Sequence, residues 1–97
     1  MPRFVYILRC SDQSFYVGHT SDIAERLDRH NSGRGPTYTI ARLPVELVYF
    51  EQLSSMEAAV QREAQLKRWT RAKKEALIAA DTSRRLAVSA TALRSPD

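Results

Sequence analysis

The sequence predicts an α+β domain built on a small antiparallel sheet, and three observations predict it. Two β-branched and aromatic runs, Arg3–Arg9 and Phe15–Gly18, flank the polar turn Ser11–Ser14 and read as a hairpin. A third such run, Val45–Phe50, follows Pro44. Segments of helical periodicity, each preceded by a capping residue, fill the space between and after the strands. The order ββαβαα suits a sheet with helices packed on it.

Each element has its own signal. The hairpin covers residues 3–19. Thr20-Ser21-Asp22 offers an N-cap for a helix running to about Asn31, and Asn31-Ser32-Gly33 supplies its stop. Residues 34–43 contain Gly35, Pro36 and mixed polar side chains, so they read as a loop. Ser54 or Ser55 caps a second helix from Met56 to about Trp69, with Met56, Ala59 and Val60 marking its buried face. Thr70 caps a third helix, Arg71 to Ala80, set at an angle to the second. From Asp81 onward the residues turn small and polar, so residues 1–80 form the domain and 81–97 a mobile or partly helical tail.

With 97 residues there is room for one domain and one modest core, not for a separate recognition domain. The net charge of +4 is moderate, but five cations crowd into eight residues: Lys67, Arg68, Arg71, Lys73 and Lys74. Such a ridge attracts polyanions, although many Lys- and Arg-rich helices are merely solvated faces. The single cysteine, Cys10, excludes an internal disulfide and a thiolate metal site. No apolar run is long enough for a signal sequence or a membrane span, so the expected setting is cytoplasmic.

The informative residues are polar groups where the pattern calls for apolar ones. Ile23 and Leu27 define the buried stripe of the first helix, and Arg26 and His30 sit on or beside it. Burying a guanidinium costs free energy unless it reaches solvent or meets an anion. In the second helix Glu63 takes the place seven residues after Met56, with Lys67 one turn on. A carboxylate among apolar neighbours needs a cation: Arg26, Lys67 or a metal ion. Arg26 and Glu63 read equally as a structural ion pair, and a lone helical histidine is usually no catalyst. Three such departures in two helices, beside a hairpin carrying Tyr6 and Tyr16, favour a functional site. Those two tyrosines share a sheet face only if the hairpin loop has an odd number of residues, such as three at Asp12–Ser14. Gly18 leaves room on that face for a close approach, or marks a bulge.

Taken in order, these residues resemble the GIY-YIG endonuclease family, in its short stand-alone bacterial branch. Val5-Tyr6-Ile7 occupies the place of the first motif and Tyr16-Val17-Gly18 that of the second. Arg26-x-x-x-His30 and Glu63-x-x-x-Lys67 follow with the family's spacing, and the similarity extends over about residues 3–78. The resemblance implies a three-stranded antiparallel sheet flanked by helices and a DNA-cleaving, metal-dependent site. Glu63 would hold one Mg²⁺ or Mn²⁺, Arg26 would face the scissile phosphate, and Tyr6 or Tyr16 would act as general base with His30 beside it. Tyr6 is favoured as the base and Tyr16 as its orienting partner. A tyrosine titrates near pH 10, so this role requires neighbouring positive charge. His19, Lys67, Arg68, Arg71, Lys73 and Lys74 would contact nucleic acid.

Two departures stand out. The first motif begins with Val5 rather than glycine, and no asparagine follows Asn31, although many members carry one after the metal helix. The expected function is a structure- or lesion-directed DNA endonuclease. The alternative is a binding module of the same fold, with a homodimer or a repair protein as possible partner. In the repair-complex version the third helix docks through Leu77 and Ile78.

Overall fold

In the computed structural model, which describes residues 2–93, the strands β1 (Arg3–Arg9), β2 (Phe15–Thr20) and β3 (Glu46–Leu53) form one antiparallel sheet in the order β2-β1-β3. The helices are α1 (Ile23–Asn31), α2 (Thr37–Ile40), α3 (Met56–Arg68) and α4 (Arg71–Leu93). The central strand explains its own sequence. Val5, Tyr6, Ile7 and Leu8 are all almost fully buried, because both faces of β1 are covered. Val5, Ile7, Val17 and Tyr49 pack with Ala59 and Leu66 of α3 and Ile78 of α4. Tyr6, Leu8, Cys10 and Val45 pack with Ile23 and Leu27 of α1 on the other side. The sheet is thus the middle of three layers, and Cys10 packs in it as a small buried hydrophobe.

The helix starts follow the capping residues. Asp22 accepts from the Glu25 amide at 3.0 Å, Ser55 from the Ala58 amide at 3.1 Å, and Thr70 from the Lys73 amide at 3.2 Å. Helix α1 stops where Gly33 adopts φ 80°, a left-handed conformation that glycine takes without steric cost. Asn31 then ties the end of α1 to the start of β3. Its amide donates to the Val45 carbonyl at 3.0 Å and accepts from the Val45 amide at 2.8 Å.

Four expectations need correction. Residues 34–43 are not all loop, since Thr37–Ile40 form the single helical turn α2, whose amides at Thr39 and Ile40 donate to the Pro36 carbonyl. The third helix does not end near Ala80; α4 runs on to Leu93, because no glycine or proline interrupts an alanine-rich stretch. Residues 94–97 of the expected tail lie outside the described residues. The buried face of α3 is also rotated. Met56 and Val60 are 54% and 44% exposed, while Ala59 and Leu66 are fully buried. Finally, Ile78 is buried in the core and Leu77 is partly buried against it, so α4 turns this pair toward the sheet rather than presenting both to a partner.

Leu66 anchors that rotated face. Leu66→Ala is expected to destabilise the fold by about 2–5 kcal/mol, the usual cost of a core leucine truncation, measurable by denaturant unfolding.

Candidate active site

The hairpin meets the geometric condition set by its tyrosines. The strands pair Tyr6 with Gly18 and Leu8 with Tyr16, so both tyrosines project from the α1 face. The Cys10 amide donates to the Ser14 carbonyl at 2.8 Å, leaving a three-residue turn at Ser11–Gln13, one residue earlier than expected. Gln13 closes it with φ 71°. Asp12 steadies the turn by accepting from the Ser14 amide at 2.9 Å.

Gly18 decides where the Tyr6 phenol goes. A Cβ at this position would stand 2.5 Å from Tyr6 Oη and 2.7 Å from its Cζ. The phenol therefore lies over β2, the edge strand, in space that any other residue would fill. Gly18→Ala is expected to push the Tyr6 ring aside and destabilise the fold by about 1–3 kcal/mol, as overpacking does. Denaturant unfolding and the loss of the Tyr6–His30 contact by NMR would check it.

Around this phenol four side chains from three elements meet. Tyr6 Oη lies 3.0 Å from His30 Nε2, in a buried contact. The rings of Tyr6 and Tyr16 are 6.5 Å apart, and Tyr16 meets the His30 ring edge-on at 5.3 Å. Tyr38 of α2 extends the aromatic row, 6.2 Å from Tyr16. The Arg26 guanidinium faces Tyr6, and its Nε is buried without a hydrogen-bond partner among the described residues.

Glu63 and His19 approach from the other face of the sheet. His19 pairs with Val5 across the strands, so it projects toward α3, where its Nε2 lies 3.7 Å from Glu63 Oε1. Lys67, one turn along α3, places Nζ 3.2 Å from Glu63 Oε2. The structure thus brings together Tyr6, Tyr16, Arg26, His30, Glu63, His19 and Lys67 around the β2 edge. It does not do so for the rest of the basic ridge. Arg71 donates to the Gln13 carbonyl at 2.6 Å and covers Phe15, while Lys73 sits over Trp69. Among the described residues no hydrogen bond or ion pair joins Arg68, Arg71, Lys73 or Lys74 to the cluster.

The electrostatics separate the two tyrosines. Burial pushes the Tyr6 phenol far above its usual range; Tyr16 and Glu63 push the same way, and Arg26 opposes them. Burial also raises Tyr16, but Lys67 and Arg26 pull it back. His30 is fully buried, and burial followed by the charge of Arg26 holds it below the ordinary histidine value. Its imidazole is therefore neutral at pH 7.

Sequence reasoning missed one member of this cluster. Thr39 is fully buried, with Oγ1 2.9 Å from His30 Nδ1 and 3.1 Å from the Pro36 carbonyl. Gly35 admits it: a Cβ there would stand 2.9 Å from His30 Nδ1 and 3.1 Å from Thr39 Oγ1. A threonine inside a polar loop carries no sequence signal for such a role; a pair of glycines before it, Gly33 and Gly35, is the nearest hint.

The three-stranded sheet thus gathers two tyrosines, an arginine, a histidine and a glutamate at one edge. Residues 2–76 match the model of the GIY-YIG catalytic domain. The chain belongs to the GIY-YIG family. It is 46% identical over 79 residues to a UPF0213 protein of Natronomonas pharaonis, covering 81% of this chain and 93% of that one. A UPF0213 protein of Streptococcus pneumoniae is 46% identical over 83 residues, covering 86% and 84%. The solution structure of a UPF0213 protein from Bacillus halodurans is similar with a TM-score of 0.54 and 41% identity, over 82% of this chain and 85% of that one. A protein of E. faecalis, also solved in solution, gives a TM-score of 0.58 and 34% identity, over 84% and 88%. No helix among the described residues is long and apolar enough to cross a membrane.

Proposed function

We propose that this chain is a divalent-metal-dependent endonuclease that hydrolyses phosphodiester bonds in DNA, acting at branched, single-stranded or damaged sites. The observation that carries this reading is the Nε of Arg26, buried and unpartnered among the described residues, on a guanidinium whose charge acts on Tyr6. Buried polar atoms in folded proteins nearly always have partners, and an orphan calls for an explanation. A phosphate oxygen is the acceptor a guanidinium fits best. The His19 ring supports the same reading, since its Nδ1 is also buried and unpartnered.

The side chains then divide the work. Arg26 binds the scissile phosphate and stabilises the charge that grows on it. Tyr6 receives a proton from the attacking water while its own proton passes along the 3.0 Å contact to His30. The water's O–H pair becomes the new P–O bond. The leaving oxygen departs with the pair of the broken P–O bond and takes a proton from solvent. This relay does not require a free tyrosinate, which the raised Tyr6 phenol would make costly. Tyr16 orients Tyr6 and His30 through ring contact.

Glu63 fits a hard cation in a limited sense. It is the one carboxylate in the cluster, with its side chain 17% exposed, and no group of three or more potential ligands exists among the described residues. A single carboxylate with waters and substrate oxygens suits Mg²⁺ or Mn²⁺. Glu63 would hold the ion, whose contribution there is Lewis-acid neutralisation of phosphate charge. Lys67 and His19 occupy the same carboxylate and must yield or share it. That contact favours the second reading, a binding module of the same fold in which Lys67 replaces the ion.

The test is a cleavage assay on duplex, single-stranded and branched DNA, and on RNA, with Mg²⁺ or Mn²⁺. Glu63→Ala is run alongside. Metal-dependent cutting lost in the variant is the expected result. If no substrate is cut but salt-dependent binding survives Glu63→Ala, the binding-module reading replaces this one. Loss of binding on changing Lys67, Arg68, Arg71, Lys73 or Lys74 would locate the nucleic-acid path.

A further inference from the structure

We propose that Thr39 is a positioning residue that fixes which nitrogen of His30 carries its proton. The lock assigns Nδ1 as the donor and leaves Nε2 as the acceptor for Tyr6. The Pro36 carbonyl can only accept, and it lies 3.1 Å from Thr39 Oγ1. Thr39 Oγ1 donates its single proton to Pro36, whose carbonyl also accepts from the Thr39 and Ile40 amides. Thr39 Oγ1 then meets His30 Nδ1, 2.9 Å away, with lone pairs alone, and Nδ1 must carry the hydrogen. A neutral imidazole has one N–H. Its Nε2 therefore accepts, and the group 3.0 Å from it, Tyr6 Oη, donates.

The other neighbour of the phenol is consistent with this. Arg26 carries only donors and its charge acts on Tyr6, so it cannot take the phenol proton. That leaves His30 Nε2, 3.0 Å away, as the acceptor. The run Tyr6 to His30 to Thr39 to Pro36 is thus one directed row of hydrogen bonds, with its terminus on the N-cap carbonyl of α2. This gives α2 a purpose. The helical turn brings Thr39 back over Pro36, and Gly35 leaves the space in which His30 and Thr39 meet.

The consequence for turnover rests on the nuclease reading; the tautomer does not. In the locked form Tyr6 can pass a proton to Nε2 as it takes one from water. In the other tautomer Nε2–H would point at Tyr6, and that path would be closed. Thr39→Val keeps the shape and removes the hydroxyl, while Thr39→Ser keeps the hydroxyl and removes a methyl group.

Nitrogen-15 NMR of selectively labelled histidine reads the tautomer directly in the free protein. Wild type and Thr39→Ser are expected to show a protonated Nδ1 and an unprotonated Nε2 at His30, and Thr39→Val a mixture or the reverse. Cleavage by Thr39→Val should fall about 10- to 100-fold in kcat with KM little changed, and Thr39→Ser should recover most of it. A wild-type His30 protonated at Nε2 overturns the proposal, as does a folded Thr39→Val with unchanged tautomer. Should Thr39→Val not fold, the wild-type and serine spectra decide alone. If nothing is cleaved by any form while the spectra come out as expected, the nuclease reading fails and the lock stands.

Discussion

Replacing Arg26 with alanine is expected to lower cleavage by about 10²- to 10³-fold with the fold left intact. Removing one preorganised donor from a site of developing negative charge typically costs this much in kcat. The structure gives a reason to expect little damage elsewhere. Arg26 has no ion-pair partner among the described residues, and its Nε is already without an acceptor. Truncation therefore strands no carboxylate and removes an unsatisfied buried group. Paired measurements of kcat and of denaturant midpoint separate the two effects. A large fall in activity with an unmoved midpoint is the expected result; a fall in both would recast Arg26 as a structural residue.

Tyr6→Phe should have the larger effect on the proton path, about 10²- to 10⁴-fold in kcat. The phenyl ring still fills the space above Gly18, so the change is confined to one oxygen. It also leaves the buried His30 Nε2 without its partner, a cost to stability of about 1–3 kcal/mol. The same pair sets a pH dependence. His30 must be neutral to accept, and burial with the nearby Arg26 charge holds its proton affinity below the ordinary histidine value. Activity should therefore persist as pH falls through 6.5 and fade only at lower pH. Stability follows the same sense. The unfolded chain takes up the proton first, so the contribution of neutral His30 is complete above about 6.5 and is lost as pH drops toward the depressed value in the fold. The groups facing His30 are Tyr6, Tyr16 and Thr39, with Arg26 close enough to act through its charge. A midpoint and a rate profile that both broke at ordinary histidine pH would argue against this environment.

How much of this was readable beforehand differs from residue to residue, for physical reasons. The hairpin and three caps were legible because strand alternation and capping are local: Asp22, Ser55 and Thr70 act on amides three residues away. The face of α3 was not. Met56, Ala59 and Val60 fit one apolar stripe and Ala59 with Leu66 another, and only the position of the sheet chooses between them. Helix α2 has four residues, too few for a periodicity to register. For the candidate site, Arg26, His30 and Glu63 were visible as polar intrusions on apolar stripes. Thr39 was invisible, because its role depends on meeting a histidine nine residues away in a loop whose path nothing local dictates.

The paired hydrogen bonds between Asn31 and Val45 give that loop an engineering meaning. They act as a clasp at its base, joining its two ends through one side-chain amide. A segment clasped in this way can grow at its tip without prying apart what it hangs from. Residues Gly33 and Arg34 are exposed, and nothing lies within 4 Å of the space beside Gly33. Lengthening the chain there costs little closure entropy, about 0.6 kcal/mol for each doubling. Extra residues inserted between Gly33 and Arg34 should thus be tolerated, while the same insertion between Gly35 and Thr39 would unseat His30. The fold therefore offers a graft point, next to its candidate site but mechanically decoupled from it, at which a short GIY-YIG domain could acquire a longer reach.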